Sequence, residues 1–152
     1  TWSPNTITYS DNNRTHMIRV PGPGRFELRL MDGATNPYLL QAGIIAAGLD
    51  GIDRKRSPGK PVYVNMYEES HKVKGAKKLP LTLEKSLGHL SKSKVMQSAF
   101  GKNIINSYVK LKNMEIKKYY SATEKKIGFR GSKKKYKGNV ITQWEKDNTL
   151  DC

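Results

Sequence analysis

The stretch that decides the fold is RVPGPGRFELRLMDG, residues 19–33, in which RFELRL alternates charged and apolar residues. Side chains of a β-strand point to opposite faces with a period of two, so this alternation predicts a strand. Phe26, Leu28 and Leu30 share its apolar face. The opposite face consists of three charged residues: Arg25, Glu27 and Arg29. Such a face is either solvated or turned towards a ligand, and its surroundings decide between the two.

The residues on either side of this strand predict an α+β fold. Upstream, NTITY and HMIRV read as strands, and a Pro-Gly-Pro-Gly turn joins HMIRV to RFELRL, which predicts antiparallel pairing. Downstream, NPYLLQAGIIAAGLDG begins with Asn36 as a helix N-cap and Pro37 in the first turn. This helix is apolar nearly all round, which predicts that it is buried in a larger body.

The second half of the chain predicts further helices. Residues 81–116 contain two or three of them, and a short C-terminal helix is predicted around Trp144. In the helix NIINSYVKLKNMEI, the residues Ile104, Tyr108 and Leu111, supported by Ile105, recur at helical spacing. A stripe of this kind is typical of a surface that packs into the core.

Length and composition bound the class of protein. The 152 residues suffice for one domain, and the single cysteine, Cys152, is the last residue and excludes an internal disulfide. No apolar run is long enough to cross a bilayer and no leader opens the chain, so a cytoplasmic location is predicted. Because Thr1 begins in what reads as mid-structure, we expect the chain to be a piece of something longer.

The net charge of +15 suggests a nucleic-acid-binding protein, but its distribution argues against that. Residues 117–137 contain nine Lys or Arg and one Glu, a net of +8, so more than half of the excess lies in one segment. A run of this kind is typical of a solvated loop. Its interleaved aromatic residues, Tyr119, Tyr120, Phe129 and Tyr136, leave weak RNA or phosphate binding open.

Three common kinds of site are excluded by spacing. Gly22 and Gly24 lack the third glycine and the following helix of a dinucleotide-binding fingerprint. SPGKP lacks the glycine spacing of a phosphate-binding Walker loop. The three histidines do not stand at metal-ligand spacing.

The remaining constellation is a set of arginines. Arg14, Arg19, Arg25 and Arg29 lie within sixteen positions on adjacent predicted strands, with Glu27 among them. Burying one guanidinium without a partner costs several kcal/mol. Four together beside a buried helix therefore require anionic partners, and arginine is suited to forked contacts with carboxylates and phosphates. A carboxylate in this company can pair with them or bind a hard cation such as Mg²⁺, and arginines with a cation and phosphate recur in phosphoryl transfer.

Several motifs at once resemble one enzyme family. The stretch NNRTHMIRVPGPGRFELRLMDGATNPYLLQAGIIAAGLDGI, with TWSPNTITY before it, VNMYEESHKVKGAKKLPL after it and the ending TQWEKDNTLDC, closely resembles the C-terminal part of the catalytic domain of glutamine synthetase. The residues of these stretches are similar to those of a bacterial type III-like subgroup, which is related to the γ-glutamylmethylamide synthetases. The resemblance implies antiparallel strands of an incomplete catalytic barrel with helices packed behind.

The resemblance also implies a function and a role for each arginine. It implies an ATP-dependent glutamate–ammonia ligase that forms glutamine through a γ-glutamyl phosphate, with Mg²⁺ or Mn²⁺ as the metal ion. The implied roles are metal binding by Glu27, glutamate binding by Arg29, stabilisation of the transferring phosphoryl group by Arg14 and Arg19, and nucleotide binding by Arg25 together with Arg19.

The resemblance covers residues 1–118 and 139–152, with 119–138 as a lysine-rich insertion that is expected to be flexible. It further implies a homo-oligomer, a dodecamer in the family. The upstream domain and the other metal carboxylates of the family are absent, so we expect this chain alone to bind Mg²⁺ or ATP poorly and to make no glutamine. Two alternatives stay open: a ligase that uses methylamine in place of ammonia, and a small basic nucleic-acid-binding protein.

Overall fold

The structure, a computed structural model, describes residues 3–127 and 142–149. The chain divides into two compact units, residues 1–82 and 83–152, which are described separately. The first contains a three-stranded sheet and one long helix, and the second contains four helices.

The sheet of the first unit consists of β1 (Tyr9–Ser10), β2 (Ile18–Gly22) and β3 (Arg25–Leu28), in that spatial order. β2 and β3 form the predicted antiparallel hairpin, with Gly24 at φ 78° in the turn. β1 pairs with β2 in parallel, so the prediction of purely antiparallel strands is wrong and the sheet is mixed. The fold is α+β as predicted, but a barrel is not formed by the described residues.

Both faces of the hairpin are partly enclosed. On the polar face Arg19 lies directly opposite Glu27 in the register and is only 9% exposed, whereas Arg25 is exposed. On the apolar face Leu28 is half-buried, whereas Phe26 is 60% exposed and Leu30 is 42% exposed. The most enclosed residue of the two faces is therefore a charged one, Arg19.

The helix α1 (Pro37–Asp53) begins as the sequence predicts. The Asn36 side chain accepts hydrogen bonds from the backbone N–H groups of Tyr38 and Leu39. None of the residues of α1 is buried, however, so the predicted burial of this helix is wrong for the described chain. Its apolar residues are the type that a larger body covers, and among the described residues they are at most half-buried, as Leu40 and Ile44 are.

The second unit packs α2 (Leu83–Lys92) and α3 (Lys94–Phe100) against α4 (Lys102–Ile127), and α5 (Gln143–Thr149) also lies on α4. Leu87 and Ile105 are its buried apolar side chains among the described residues. The predicted core stripe is only partly right. Ile105 is buried and Tyr108 is half-buried, whereas Ile104 and Leu111 are both more than half exposed.

The lysine-rich segment is only partly described. Its first residues, 119–127, continue α4, and the rest, 128–138, lies outside the described residues. The boundaries proposed at 118 and 139 stay predictions. The predicted C-terminal helix around Trp144 is present as α5, and the Trp144 ring contacts the Tyr119 ring edge-on at a centroid distance of 5.4 Å.

A buried histidine joins two parts of the first unit. His16 is 0% exposed, and its Nε2–H donates to the backbone carbonyl of Val64 at 3.1 Å. The other ring nitrogen, Nδ1, is then an acceptor and lies 3.0 Å from the Thr8 hydroxyl. Nearby, the Met66 backbone N–H donates to the Thr15 hydroxyl at 2.9 Å. These bonds fix the loop between β1 and β2 on residues 64–66.

The stability of the first unit is expected to depend on the protonation of His16. Burial lowers the pKa of His16 below its ordinary value of 6.5, against smaller opposing effects of Val64 and Asp11. Below pH 6.5 the unfolded chain therefore binds this proton more readily than the folded chain. The contribution of His16 to the free energy of unfolding is therefore constant above pH 6.5 and is lost as the pH is lowered through the pKa that His16 has in the folded chain.

Urea unfolding between pH 5.5 and 7.5 measures this dependence. The free energy of unfolding should no longer fall with decreasing pH in the His16→Gln variant, whereas the control His71→Gln should keep this dependence on pH. A slope that is the same in the parent chain and in His16→Gln would contradict the assignment.

Candidate functional site

The centre of the candidate site is an ion pair between the two strands of the hairpin. Nη1 of Arg19 donates to both carboxylate oxygens of Glu27, at 2.7 and 2.8 Å. The pair forms because the antiparallel register places these two residues directly opposite each other on one face. The guanidinium is largely buried and the Glu27 side chain is 42% exposed, so the carboxylate remains accessible from one side.

The loop before β2 supplies a second partner for Arg19. The side-chain oxygen of Asn12 accepts from Nε of Arg19 at 2.9 Å and also from Nη2. The guanidinium is thus held on one edge by an amide oxygen and at its end by a carboxylate. Arg19 is consequently fixed in orientation before any ligand is present.

The electrostatics of this face favour the ionised carboxylate. The hydrogen bond from Arg19 lowers the pKa of Glu27 below its ordinary value, with partial burial opposing it. The positive charges of Arg19, Arg14 and Arg25 lower it further. Of the predicted arginines, Arg19 therefore contacts Glu27 directly, and Arg14 and Arg25 lie within electrostatic range of the carboxylate.

Arg29 extends the same face. Its backbone N–H donates to the carbonyl of Met17 at 2.8 Å, which continues the hairpin pairing one step beyond β3. Its side-chain Nη1 is buried and has no hydrogen-bond partner among the described residues. Because a buried unpaired donor is costly, such an atom is typical of a group that awaits an anionic ligand.

The charged face offers one carboxylate for metal binding among the described residues, that of Glu27. No group of three or more His, Cys, Asp or Glu side chains lies together in residues 3–127 and 142–149. A hard cation such as Mg²⁺ takes about six oxygen ligands, and one carboxylate supplies two at most. Glu27 is chemically suited to be one ligand, but the described residues do not make up a metal site.

Sequence reasoning proposed Arg14, Arg19, Arg25, Glu27 and Arg29 for this face but did not propose Asn12, which contacts Arg19. The alternation of charge in β3 is visible in the sequence, whereas the contact of Asn12 with Arg19 depends on how the preceding loop folds back. The adjacent Asn13 makes different contacts, donating to the carbonyl of Val64 at 3.1 Å. The sequence Asn12-Asn13 alone therefore does not predict which of the two asparagines contacts Arg19.

The chain belongs to the family of glutamine synthetase catalytic domains, since the family model "Glutamine synthetase, catalytic domain" matches residues 1–128. It is 49% identical over 151 residues to the glutamine synthetase of Rhizobium leguminosarum bv. phaseoli. It is 44% identical over 122 residues, 78% of this chain and 27% of the relative, to the glutamate–methylamine ligase of Methyloversatilis universalis.

Among solved structures, the chain is similar to the GmaS–ADP complex, with a TM-score of 0.74 and 43% sequence identity. That similarity covers 99% of this chain and 30% of the solved chain. Likewise, the match to the Rhizobium leguminosarum enzyme covers 99% of this chain but 31% of the relative. The chain thus spans about a third of the length of these relatives. Among the described residues no helix is long and apolar enough to span a membrane.

Proposed function

We propose that this chain contributes one wall of the active site of an ATP-dependent ligase that joins glutamate to ammonia. The observation that supports this most is the charged face of the β2–β3 hairpin. There Arg19 pairs with an accessible Glu27, the charges of Arg14 and Arg25 act on the same carboxylate, and Arg29 presents a buried unpaired donor. The family and the ligases among its relatives are consistent with this chemistry.

Each residue of the face has a proposed role, and that of Arg14 and Arg19 is to stabilise the transferring phosphoryl group, with Arg19 also binding the nucleotide. The unpaired Nη1 of Arg29 binds a carboxylate of glutamate, because a charged donor without a partner is satisfied by an anion. Glu27 supplies one oxygen ligand to a divalent ion, Mg²⁺ or Mn²⁺, which when bound offsets the charge of the phosphates. The side chains of Arg14 and Arg25 form no hydrogen bond or ion pair in the described part of the chain, so both are available to phosphate oxygens. The similarity of this chain to a solved GmaS–ADP complex supports the binding of nucleotide phosphates by Arg14 and Arg25.

The amine substrate is the open part of this proposal. Ammonia is favoured by the higher identity to the Rhizobium leguminosarum glutamine synthetase, at 49%. Methylamine is the second candidate, because the Methyloversatilis universalis relative is a glutamate–methylamine ligase at 44% identity. Arg29 and Glu27 contact glutamate and metal in either case, so both amines require the same face.

A nucleic-acid-binding function is not favoured. Two aromatic side chains of the lysine-rich segment have other partners: Tyr119 contacts the Trp144 ring, and the Tyr120 hydroxyl donates to Glu84 at 2.9 Å. Phe129 and Tyr136 lie outside the described residues. As part of the same proposal, the ligase is cytoplasmic and homo-oligomeric, for which the partly exposed apolar face of the hairpin provides contact surface.

A chimera tests the proposed function. The 31% of the Rhizobium leguminosarum enzyme that matches this chain is replaced by this chain, and glutamine or γ-glutamylmethylamide is measured with ATP, Mg²⁺ and either amine. We expect amide formation by the chimera and none by the isolated 152-residue chain, because the described residues offer a single metal carboxylate. A folded chimera without activity would overturn the function, and activity of the isolated chain would overturn the incompleteness of its site.

A further inference from the structure

We propose that residues 64–66 hold Arg14 in place for the transferring phosphoryl group, and that Thr15 and His16 are the positioning residues through which they act. This deepens the proposed ligase function and rests on it. Arg14 is exposed and lies in the loop between β1 and β2, not on a strand. A cation on a loop stabilises a transition state efficiently only if the loop is already fixed when the reaction begins.

The backbone carbonyl of Val64 is bound from both sides of Arg14. Nδ2 of Asn13 donates to this oxygen at 3.1 Å, and Nε2–H of His16 donates to it at 3.1 Å. A carbonyl oxygen has two lone pairs, so both of its acceptor positions are used. One donor stands directly before Arg14 in the sequence and the other stands two residues after it, so the backbone of Arg14 is fixed between them.

Thr15 adds a third contact with the same segment. Its hydroxyl accepts from the backbone N–H of Met66 at 2.9 Å and donates to the side-chain oxygen of Asn13 at 2.8 Å. The same oxygen of Asn13 accepts from the backbone N–H of Thr15 at 3.0 Å, which closes a turn around Arg14. Met66 is 3% exposed, so the loop is attached to a buried part of the first unit. These contacts of residues 13, 15 and 16 with residues 64–66 form a clamp.

His16 is itself held in place on its other side. The carbonyl of Val64 can only accept, so Nε2 of His16 carries the proton and Nδ1 accepts from the hydroxyl of the buried Thr8 at 3.0 Å. The guanidinium of Arg14, by contrast, forms no hydrogen bond or ion pair in the part of the chain that the structure describes. The backbone of Arg14 is thus fixed and its charged end is free, which suits a group that acts on a ligand.

The clamp is tested on the 152-residue chain by amide hydrogen exchange and ¹⁵N NMR. Thr15→Val keeps the shape of the side chain but removes the hydroxyl, so we expect the amide of Met66 to exchange about three- to tenfold faster, the effect of losing one hydrogen bond. Thr15→Ser keeps the hydroxyl and should keep the protection. The ring of His16 should have its proton on Nε2 at neutral pH. Unchanged exchange of Met66 in Thr15→Val, or a ring proton on Nδ1 alone, would overturn the clamp.

The positioning role is tested by kinetics in the active chimera. We expect Thr15→Val to lower kcat by about 10- to 100-fold and to leave KM for glutamate within about twofold, because Arg14 acts on the transferring group. The matched control is Tyr9→Phe, which removes the hydrogen bond from the Tyr9 hydroxyl to the carbonyl of Gly59 at 2.8 Å. This bond is not made by the loop of Arg14, so its loss should leave kcat within about twofold.

A double-mutant cycle shows whether Thr15 acts through Arg14. In the Arg14→Met background, Thr15→Val should lower kcat by no more than about twofold, because no guanidinium is left to position. Losses that multiply in the double variant, or an equal loss in Thr15→Val and Tyr9→Phe, would overturn the positioning role. An inactive parent chimera would instead refute the proposed function, and the clamp would still be decided by the exchange of Met66.

Discussion

Arg29→Met in the active chimera is expected to lower kcat/KM for glutamate by about 100- to 1,000-fold without lowering the melting temperature. The loss of activity follows from the removal of a charge-assisted contact with a substrate carboxylate, of which each hydrogen bond contributes about 1.5–3 kcal/mol. The unchanged stability follows from the state of Nη1, which is buried without a partner, so its removal costs the folded chain nothing. Substitution of a residue that serves only the fold would instead lower the melting temperature and leave kcat/KM for glutamate unchanged.

Steady-state kinetics and thermal unfolding of the same variant measure both effects. The matched control is Arg54→Met, which removes an exposed guanidinium that pairs with Asp50 at the end of α1. This control should leave kcat/KM within about twofold of the parent, because a surface ion pair contributes little. If Arg29→Met destabilises the chimera as much as it inactivates it, Arg29 is structural and not a substrate-binding residue.

Glu27→Gln in the active chimera is expected to weaken the binding of Mg²⁺ severely. The amide keeps the size of the side chain and one acceptor for Arg19, but it loses the negative charge that a divalent ion requires. We expect the half-saturating Mg²⁺ concentration to rise at least about 100-fold, beyond the effect of losing a residue that merely orients a ligand. Mg²⁺ titrations of activity at fixed ATP and glutamate measure this shift.

Glu69→Gln is the matched control for that experiment. Glu69 also has a pKa lowered by a neighbouring cation, Lys72, but it lies in an exposed loop outside the charged face. The same change in charge there should leave the Mg²⁺ dependence unaltered. Equal shifts in Glu69→Gln and Glu27→Gln would indicate a general effect of net charge and would remove the argument for a metal ligand at Glu27.

The charged face was predictable from the sequence because strand periodicity is local. The alternation in RFELRL determines which side chains share a face, and the short Pro-Gly turn brings Arg19 opposite Glu27. The start of α1 was predictable for the same reason, since the Asn36 cap acts on residues two and three positions further along. In each case the interacting groups are close in sequence.

The predictions that were wrong or missing concern contacts between one helix, strand or loop and another. The parallel pairing of β1 with β2 depends on the path of the loop between them, which the residue pattern does not specify. The apolar surfaces of α1 and of Phe26 indicate burial, but the chain spans about 31% of its Rhizobium leguminosarum relative and the described residues leave these surfaces exposed. Asn12 was missed because a side-chain acceptor is recognised by its position in space and not by its neighbours in sequence.

The central claim, that the charged face of β3 and not its apolar face lines the ligand site, is tested most directly by glutamate-dependent phosphate release from ATP in two chimeras. One contains Arg29→Gln and the other contains Phe26→Leu, which changes the opposite face of β3 but keeps that face apolar. The structure predicts a loss of about 100-fold or more in the first and a rate within about threefold of the parent in the second. Equal losses in both, or a loss only in Phe26→Leu, would contradict it.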